Sequence, residues 1–248
     1  MNGPNGQGVR TLAVIPARGG SKGVPRKNVR PVLGRPLLAY TVDTALAARH
    51  LLHDVVLSTD DEEVAGVGRS LGLDAPFLRP PELAGDDVPM APVLQHAVSF
   101  VEGRDGVRMD WVLLLQPTEP FRAVDDIEAC LDLAGGSGCD SVISVVRVFA
   151  THPVLMKRIE DDRLVPFCVE EQEGTRRQDY DPPAYMRNGA IYLTRRDVLM
   201  ERGSIWGDVI RPYVMPTERS VSVDEERDLK VIEAIMLERQ AAPQGSQA

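Results

Sequence analysis

Thr11-Leu12-Ala13-Val14-Ile15-Pro16-Ala17, followed at once by Arg18-Gly19-Gly20-Ser21-Lys22-Gly23-Val24-Pro25-Arg26-Lys27-Asn28, is the stretch on which the fold turns. The first seven residues are mostly apolar with no polar alternation, which predicts a short strand buried on both faces. Such strands belong to parallel sheets covered by helices on each side. The next eleven residues hold three glycines and four cations. Glycines let backbone amides approach an anion closely, and arginine forks and lysine point charges neutralise a polyphosphate. A solvated turn has no need of so much positive charge beside a buried strand end. The spacing is neither GxxxxGK[ST] nor GxGxxG, so neither of those motifs supplies an identification.

Outward from this stretch, strand and helix alternate through the first 150 residues. Residues 36–50 predict a helix, 54–59 a strand ending at Asp60-Asp61, 61–71 and 91–102 helices. Residues 111–116 form the most apolar run and predict a central strand. A helix at 124–134 and a strand at 140–148 follow. This is an α/β pattern with a mainly parallel sheet. Ligands of such sheets lie at the carboxyl ends of the strands. Three polar clusters fall there, at 18–28, 58–61 and 116–122, and are expected to converge.

The stretch 150–187 breaks the alternation, being rich in Pro, Glu, Asp and Arg. It reads as an insertion of short strands and loops within one domain spanning 9–240. Strands are expected again at 188–194 and 208–214. A closing helix follows at 225–239, with Asp224 as N-cap and Glu225 and Glu226 in its first turn. Flexible tails are expected at 1–8 and 241–248.

Composition narrows the function classes. The chain has 248 residues, 43% of them hydrophobic, and a net charge of −9. That excludes a broad basic face for nucleic acid. No apolar run approaches the roughly 20 residues that span a bilayer, and the polar N-terminus lacks the core of a signal peptide. Three cysteines at wide spacing and four scattered histidines form no zinc signature. A reduced cytoplasmic protein is expected, with Cys130 and Cys139 as core thiols. His152, beside Pro153, reads as packing or capping rather than as a base. Only four of the 28 bases are lysines, Lys22, Lys27, Lys157 and Lys230, and two of these stand together in the glycine-rich loop.

The string AVIPARGGSKGVPRKNV at 13–29 closely resembles the nucleotide-binding signature of the acylneuraminate cytidylyltransferases, enzymes that activate sialic and related nonulosonic acids as CMP-sugars. The resemblance continues in order through STDDEEVA (58–65), RPPELAGDD (79–87), LLQPTEPFR (114–122), HPVLMK (152–157), RRQDY (176–180), NGAIY (188–192) and SVSVDEERDL (220–229). It implies a Rossmann-like nucleotidyltransferase domain with an inserted dimerisation element, placed here at 150–187, and a homodimer in which each arm helps close the other subunit's sugar site. It also implies attack of an anomeric hydroxyl on the α-phosphate of CTP, with Mg²⁺ required and pyrophosphate released.

By the same resemblance Arg18, Ser21, Lys22 and Lys27 line the triphosphate, and Lys22 and Lys27 stabilise charge on the leaving pyrophosphate. Asn28 orients the ribose or a phosphate, and Arg79 and Gln116 contact the nucleotide. Lys157, Arg177, Gln178 and Asn188 match sugar-side positions, and Asp224 matches a metal ligand. In phosphoryl transfer the protein mainly positions reactants and stabilises charge.

The chain departs from the family pattern at several positions. Ser222 and Asp224 stand where two aspartates are usual, Glu119 stands where the QPT-x-P motif usually has Ser, and Val88-Pro89-Met90 and Met186-Arg187 are also unusual. These departures keep two other readings open. One is a nucleotidyltransferase for another acid, whether legionaminic, pseudaminic, ulosonic or phosphonate, with GTP as a possible donor. The other is a nucleotide-binding homologue with impaired catalysis.

Overall fold

In the computed structural model, which describes residues 8–21 and 23–241, the opening apolar run is strand β1 (Thr11–Pro16), buried from Thr11 to Ile15. Lys22 lies outside the described residues, as do the expected tails apart from Gly8 and Ala241. The chain continues through a short hairpin, β2 (Pro31–Val32) and β3 (Arg35–Pro36), to α1 (Leu37–Ala47), β4 (Asp54–Ser58), α2 (Glu62–Ser70) and α3 (Met90–Asp105). Then come β5 (Trp111–Leu114), α4 (Val124–Ser137) and β6 (Ser141–Val148). A second hairpin, β7 (Lys157–Glu160) and β8 (Arg163–Pro166), leads to β9 (Ala184–Arg195), α5 (Arg196–Arg202), β10 (Ile210–Val214) and α6 (Glu226–Ala241).

Six strands form the central sheet in the order β10-β6-β9-β5-β1-β4. β1 pairs in parallel with β4 and β5, and β10 pairs in parallel with β6. β9 runs antiparallel to both β5 and β6. The sheet is therefore mainly parallel, as expected, with one reversed strand near its middle. β9 starts at Ala184, four residues before the expected strand, because Ala184–Arg187 pair with the far end of β6. The excursion from the sheet correspondingly ends at Pro183.

Alternation along each strand divides the core into two layers. Ala13, Ile15, Leu57 and Leu113 face one side with Leu38 and Val42 of α1, Val64 of α2 and Ile127 of α4. Leu12, Val14, Val56 and Leu114 face the other with Leu94 and Val98 of α3 and Leu199 of α5. Cys130 and Cys139 are buried in the first layer, as their core assignment requires, and Cys168 is exposed. Among the described residues no helix is long and apolar enough to cross a membrane.

A third, smaller cluster decides where the last helix goes. Leu229, Ile232 and Met236 of α6 pack with Val24, Val32, Leu37, Phe121 and Val223. The end of the chain is thereby clamped against the glycine-rich loop. The start of α6 differs from expectation. The N–H groups of Asp224 and Glu225 both donate to the Asp228 carboxylate, at 2.9 and 2.8 Å. Asp228 thus closes the first turn from inside the helix, and the negative end of that contact sits where the helix dipole favours it. The Asp224 side chain is 79% exposed, so the capping role expected of it falls to Asp228.

Candidate functional site

Three carboxyl strand ends meet on one rim, as the polar clusters predicted. β1 opens into 17–28, β4 into Thr59-Asp60-Asp61, and β5 into Gln116. The reversed strand adds a fourth contribution. Its residue Tyr192 pairs with Leu114 at the end of β5, so 187–190 lie just beyond that end. The segment after β10 adds a fifth, held by the Val223 N–H donating to the Thr118 carbonyl at 3.0 Å.

The glycine-rich loop is built by close approaches. The Gly19 N–H donates to Asp60 Oδ1 at 3.1 Å. A Cβ at Gly23 would lie 2.5 Å from the Asp224 carbonyl oxygen, a backbone atom that cannot step aside. Asn28 donates its side-chain amide to the Arg18 carbonyl at 2.9 Å and so closes the loop on itself. Arg26, one of the loop's four cations, turns away from the cavity toward Asp61 at 2.6 Å and Glu63. That contact holds the Asp61 carboxylate below its ordinary range, helped by the N–H groups of Val64 and Glu63, which Asp61 accepts as N-cap of α2.

A cavity of about 230 Å³ is lined by Arg18, Gly20, Ser21, Lys27, Asn28, Arg79 and Gln116, with Pro16, Met90, Pro117 and Thr118. All the nucleotide-side residues named from the sequence come together here, save Lys22, which is not described. Arg18 pairs with Asp86 at 2.5 Å. Arg79 is buried and bonds the Ser58 hydroxyl and carbonyl, with burial lowering its affinity for its proton. Lys27 donates to the Val223 carbonyl at 2.6 Å and lies 4.0 Å from the Asp224 carboxylate.

A second cavity, about 470 Å³, shares Gln116 and Thr118 with the first. It is lined also by Glu119, Met186, Arg187, Asn188, Gly189, Tyr192, Ser220, Ser222 and Asp224. Asn188 lies in its wall with its polar atoms already engaged. Its Oδ1 accepts from the Ser144 hydroxyl at 2.6 Å and its amide donates to Ser220 at 2.8 Å. It braces the irregular step where β9 shifts register against β6, next to Gly189 at φ 78°. A side chain at 189 would meet Glu119 at 3.1 Å and Gln116 at 3.2 Å, so glycine keeps the two cavities joined.

Lys157, Arg177 and Gln178 line neither cavity. Lys157 donates to the Val154 carbonyl and pairs with Glu171, each at 2.9 Å, inside the excursion. Arg177 and Gln178 lie on an exposed turn, Arg177–Asp179. His152 caps and packs as expected, accepting the Val154 N–H and contacting the Pro182 carbonyl.

Three site residues escaped the reading of candidates. Arg122 is buried and holds the rim from beneath, donating to the Ala190 carbonyl at 2.6 Å and the Gln116 carbonyl at 2.9 Å. Arg187 is the guanidinium of the second cavity, and it stacks 4.1 Å over the Trp206 ring. Glu119 is 2% exposed, and burial pushes its carboxyl up to about 7. The available signal for Glu119 and Arg187 was that each departs from the expected motif. Arg122 lay inside a recognised polar cluster, and nothing in its spacing marked it as buried.

Among the described residues no group of three or more His, Cys, Asp or Glu side chains is arranged to hold a metal. Among the described residues the second cavity is lined by the exposed Asp224 carboxylate, the buried Glu119 carboxyl and the hydroxyls of Thr118, Ser220 and Ser222.

The family model described as Cytidylyltransferase matches residues 12–206. A CMP-N,N'-diacetyllegionaminic acid synthase of Legionella pneumophila is 31% identical over 231 residues, 92% of this chain and 97% of that protein. An N-acylneuraminate cytidylyltransferase of Escherichia coli is 30% identical over 223 residues, 90% of this chain and 51% of that longer protein. A solved CMP:2-keto-3-deoxy-manno-octonic acid synthetase, complexed with CTP, superposes with a TM-score of 0.66 at 20% identity, covering 93% of this chain and 99% of that one. That last likeness speaks for the fold. The match of the family model over most of the chain, together with relatives aligned along nearly all of it, shows that this chain belongs to the cytidylyltransferase family.

Proposed function

We propose that this chain transfers CMP from CTP to the anomeric hydroxyl of a sialic-acid-like nonulosonic acid, releasing pyrophosphate. The observation that carries the reading is the pair of cavities joined at Gln116 and Thr118. One is ringed by Arg18, Lys27 and Arg79 and suits a triphosphate. The other carries Arg187, whose fork suits the carboxylate of a sugar acid. The transferred phosphorus belongs at their junction. Ser21, Asn28 and Gln116 complete the nucleotide side, with Lys22 assigned there from the sequence. Relatives whose names specify legionaminic and neuraminic acids support the class of acceptor.

The donor set fits Mg²⁺. The ion takes few protein carboxylates and keeps waters and substrate phosphates. The exposed Asp224 carboxylate, with the Ser222 and Thr118 hydroxyls in the same wall, offers only hard oxygen donors. When bound, Mg²⁺ would neutralise triphosphate charge. Lys27, beside Asp224, orients the same phosphates from the loop side.

The excursion after β6 is proposed as a dimerisation arm. Lys157, Arg177 and Gln178 then act across a homodimer interface, at the sugar end of the neighbouring site. A cytoplasmic location, where CTP is available, is part of the same proposal. The test is pyrophosphate release and CMP-sugar formation by purified protein with Mg²⁺, CTP or GTP, and a panel of nonulosonic acids. CTP-dependent product with at least one acid is expected. Release with GTP alone would favour the relative that uses another donor, and no release with any pair would overturn the reading.

A further inference from the structure

β9 carries two arginines that the fold treats differently. Arg195, at its end, is held by Asp197 at 2.6 Å and by Asp140 at 3.2 Å. Arg187, at the irregular step, has no hydrogen-bond or ion-pair partner among the described residues. Its guanidinium is instead laid on the Trp206 ring, with 4.1 Å between Cζ and the ring centroid. The charge stays at the second cavity. Burial raises the Tyr192 phenol in the cavity wall, and Arg187 opposes that rise from nearby.

Nothing in the core asks for an indole at 206. Trp206 is 41% exposed and belongs to none of the three apolar clusters, whereas its neighbour Ile205 packs against the second layer. Yet the loop 203–209 that carries it, between α5 and β10, is tied down almost residue by residue. The Thr194 hydroxyl donates to the Ile205 carbonyl at 2.6 Å, and the Ser141 hydroxyl donates to the Trp206 carbonyl. The N–H groups of Trp206 and Gly207 donate to the Ser204 hydroxyl, and those of Asp208 and Val209 to Asp140 Oδ2. Gly207 sits at φ 71°, and a Cβ there would run into the Asp140 side chain. So much backbone restraint fixes the direction of a side chain that the core does not hold.

We propose that Trp206 is a positioning residue for the acceptor, holding Arg187 so that its fork meets the carboxylate of the sugar acid. The proposal rests on the reading of the second cavity as the site of an acidic acceptor. A ring stacked on one face of a guanidinium leaves the N–H edge free, and a carboxylate is bound at that edge by two parallel hydrogen bonds. An unstacked arginine on an exposed stretch of strand samples many rotamers and loses that freedom on binding. The indole removes part of the loss in advance. Trp206 lines neither cavity, so it acts through Arg187 and leaves the nucleotide side alone.

The test uses the acid that wild type turns over fastest, from a panel headed by N-acetylneuraminic and N,N'-diacetyllegionaminic acids. It compares wild type with Trp206→Ala, Trp206→Leu, Trp206→Phe, Arg187→Met and the double variant Arg187→Met/Trp206→Ala. Retention of the CTP-induced rise in melting temperature establishes that each variant is folded with an intact nucleotide side. Trp206→Ala and Trp206→Leu are expected to raise KM for the acid about tenfold, with KM for CTP within twofold. Trp206→Phe keeps an aromatic face and should stay within about threefold of wild type. Arg187→Met should raise KM for the acid at least as far as Trp206→Ala does. Adding Trp206→Ala to it should change that KM less than about twofold, because the partner of the ring is already gone.

A ring that merely fills space would be replaced by leucine as well as by phenylalanine. If Trp206→Leu matches Trp206→Phe, or if Trp206→Ala costs as much in the Arg187→Met background as in wild type, the proposal is overturned and the transfer reading stands. The same holds if Arg187→Met leaves KM for the acid within twofold of wild type. If wild type turns over no acid with CTP or GTP, both fall.

Discussion

The Lys27 ammonium donates to the carbonyl of Val223, 196 residues away, at 2.6 Å, and more weakly to that of Asp224 at 3.4 Å. Val223 in turn donates to Thr118. The glycine-rich loop, the turn after β5 and the segment bearing Asp224 are therefore one mechanical unit. A substitution at Lys27 acts on charge and on geometry together.

Lys27→Met keeps the aliphatic stem and removes the charge. Loss of one preorganised electrostatic donor typically costs about 100-fold or more in turnover. The kcat/KM for CTP should fall by about that factor in a pyrophosphate-release assay. Thermal stability should fall by about 1 kcal/mol, the usual net value of one hydrogen bond.

Arg122→Met removes the brace beneath the rim, taking the guanidinium donor from the Ala190 carbonyl and leaving the Gln116 carbonyl only its longer contacts with the Glu119 N–H and the Thr41 hydroxyl. Breaking a buried charged network of this kind costs about 3 kcal/mol. For a chain of this size that lowers the melting temperature by roughly 6–12 °C. Urea unfolding should show the same loss with an unchanged m-value.

The pH dependence of stability should carry the signature of Glu119. Its folded carboxyl titrates near 7 against an ordinary value of 4.5, so the folded state binds the proton more tightly than the unfolded state. The contribution is full below about 4.5, declines as pH rises, and is gone above about 7. Glu119→Gln lacks this loss. The difference in stability between variant and wild type should grow across pH 4.5–7 to about 3 kcal/mol at most, then stay level. Melting curves across that range check it, and a constant difference would count against the buried carboxyl.

The hairpin of β7 and β8 pairs Ile159 with Leu164 on one face, 76% and 72% exposed. Apolar side chains so placed invite a partner surface. Ile159→Asp/Leu164→Asp should convert the proposed homodimer to monomer in sedimentation velocity. The melting temperature measured at low protein concentration should change little, because the hairpin lies outside the core clusters.

Much of this protein is legible along the chain because its signals are local. The run 11–17 is a buried strand on composition alone, and the glycines and cations behind it announce an anion site. The alternation of strand and helix up to Val148 follows from periodicity, as does the convergence of the clusters at 18–28, 58–61 and 116–122 once the sheet is taken as parallel. Arg18, Ser21, Lys27, Asn28, Arg79 and Gln116 do share one cavity. The N-cap assignment at Asp224 failed because two acids, Asp224 and Asp228, compete for one helix end, and spacing cannot say which carboxylate turns inward.

Other features depend on pairings between distant segments. A strand's direction is not written in its residues, so the reversal of β9 that brings Arg187, Asn188 and Gly189 to the rim was invisible until β5 and β6 were seen on either side of it. Burial of Arg122 and Glu119 is likewise a property of what packs over them. Local propensity and apolar patterning determined the strands, the helices and the glycine-rich loop. The joining of two cavities through Gln116 and Gly189, and the isolation of one carboxyl oxygen between them, arise only when segments more than 60 residues apart exclude water from the same point.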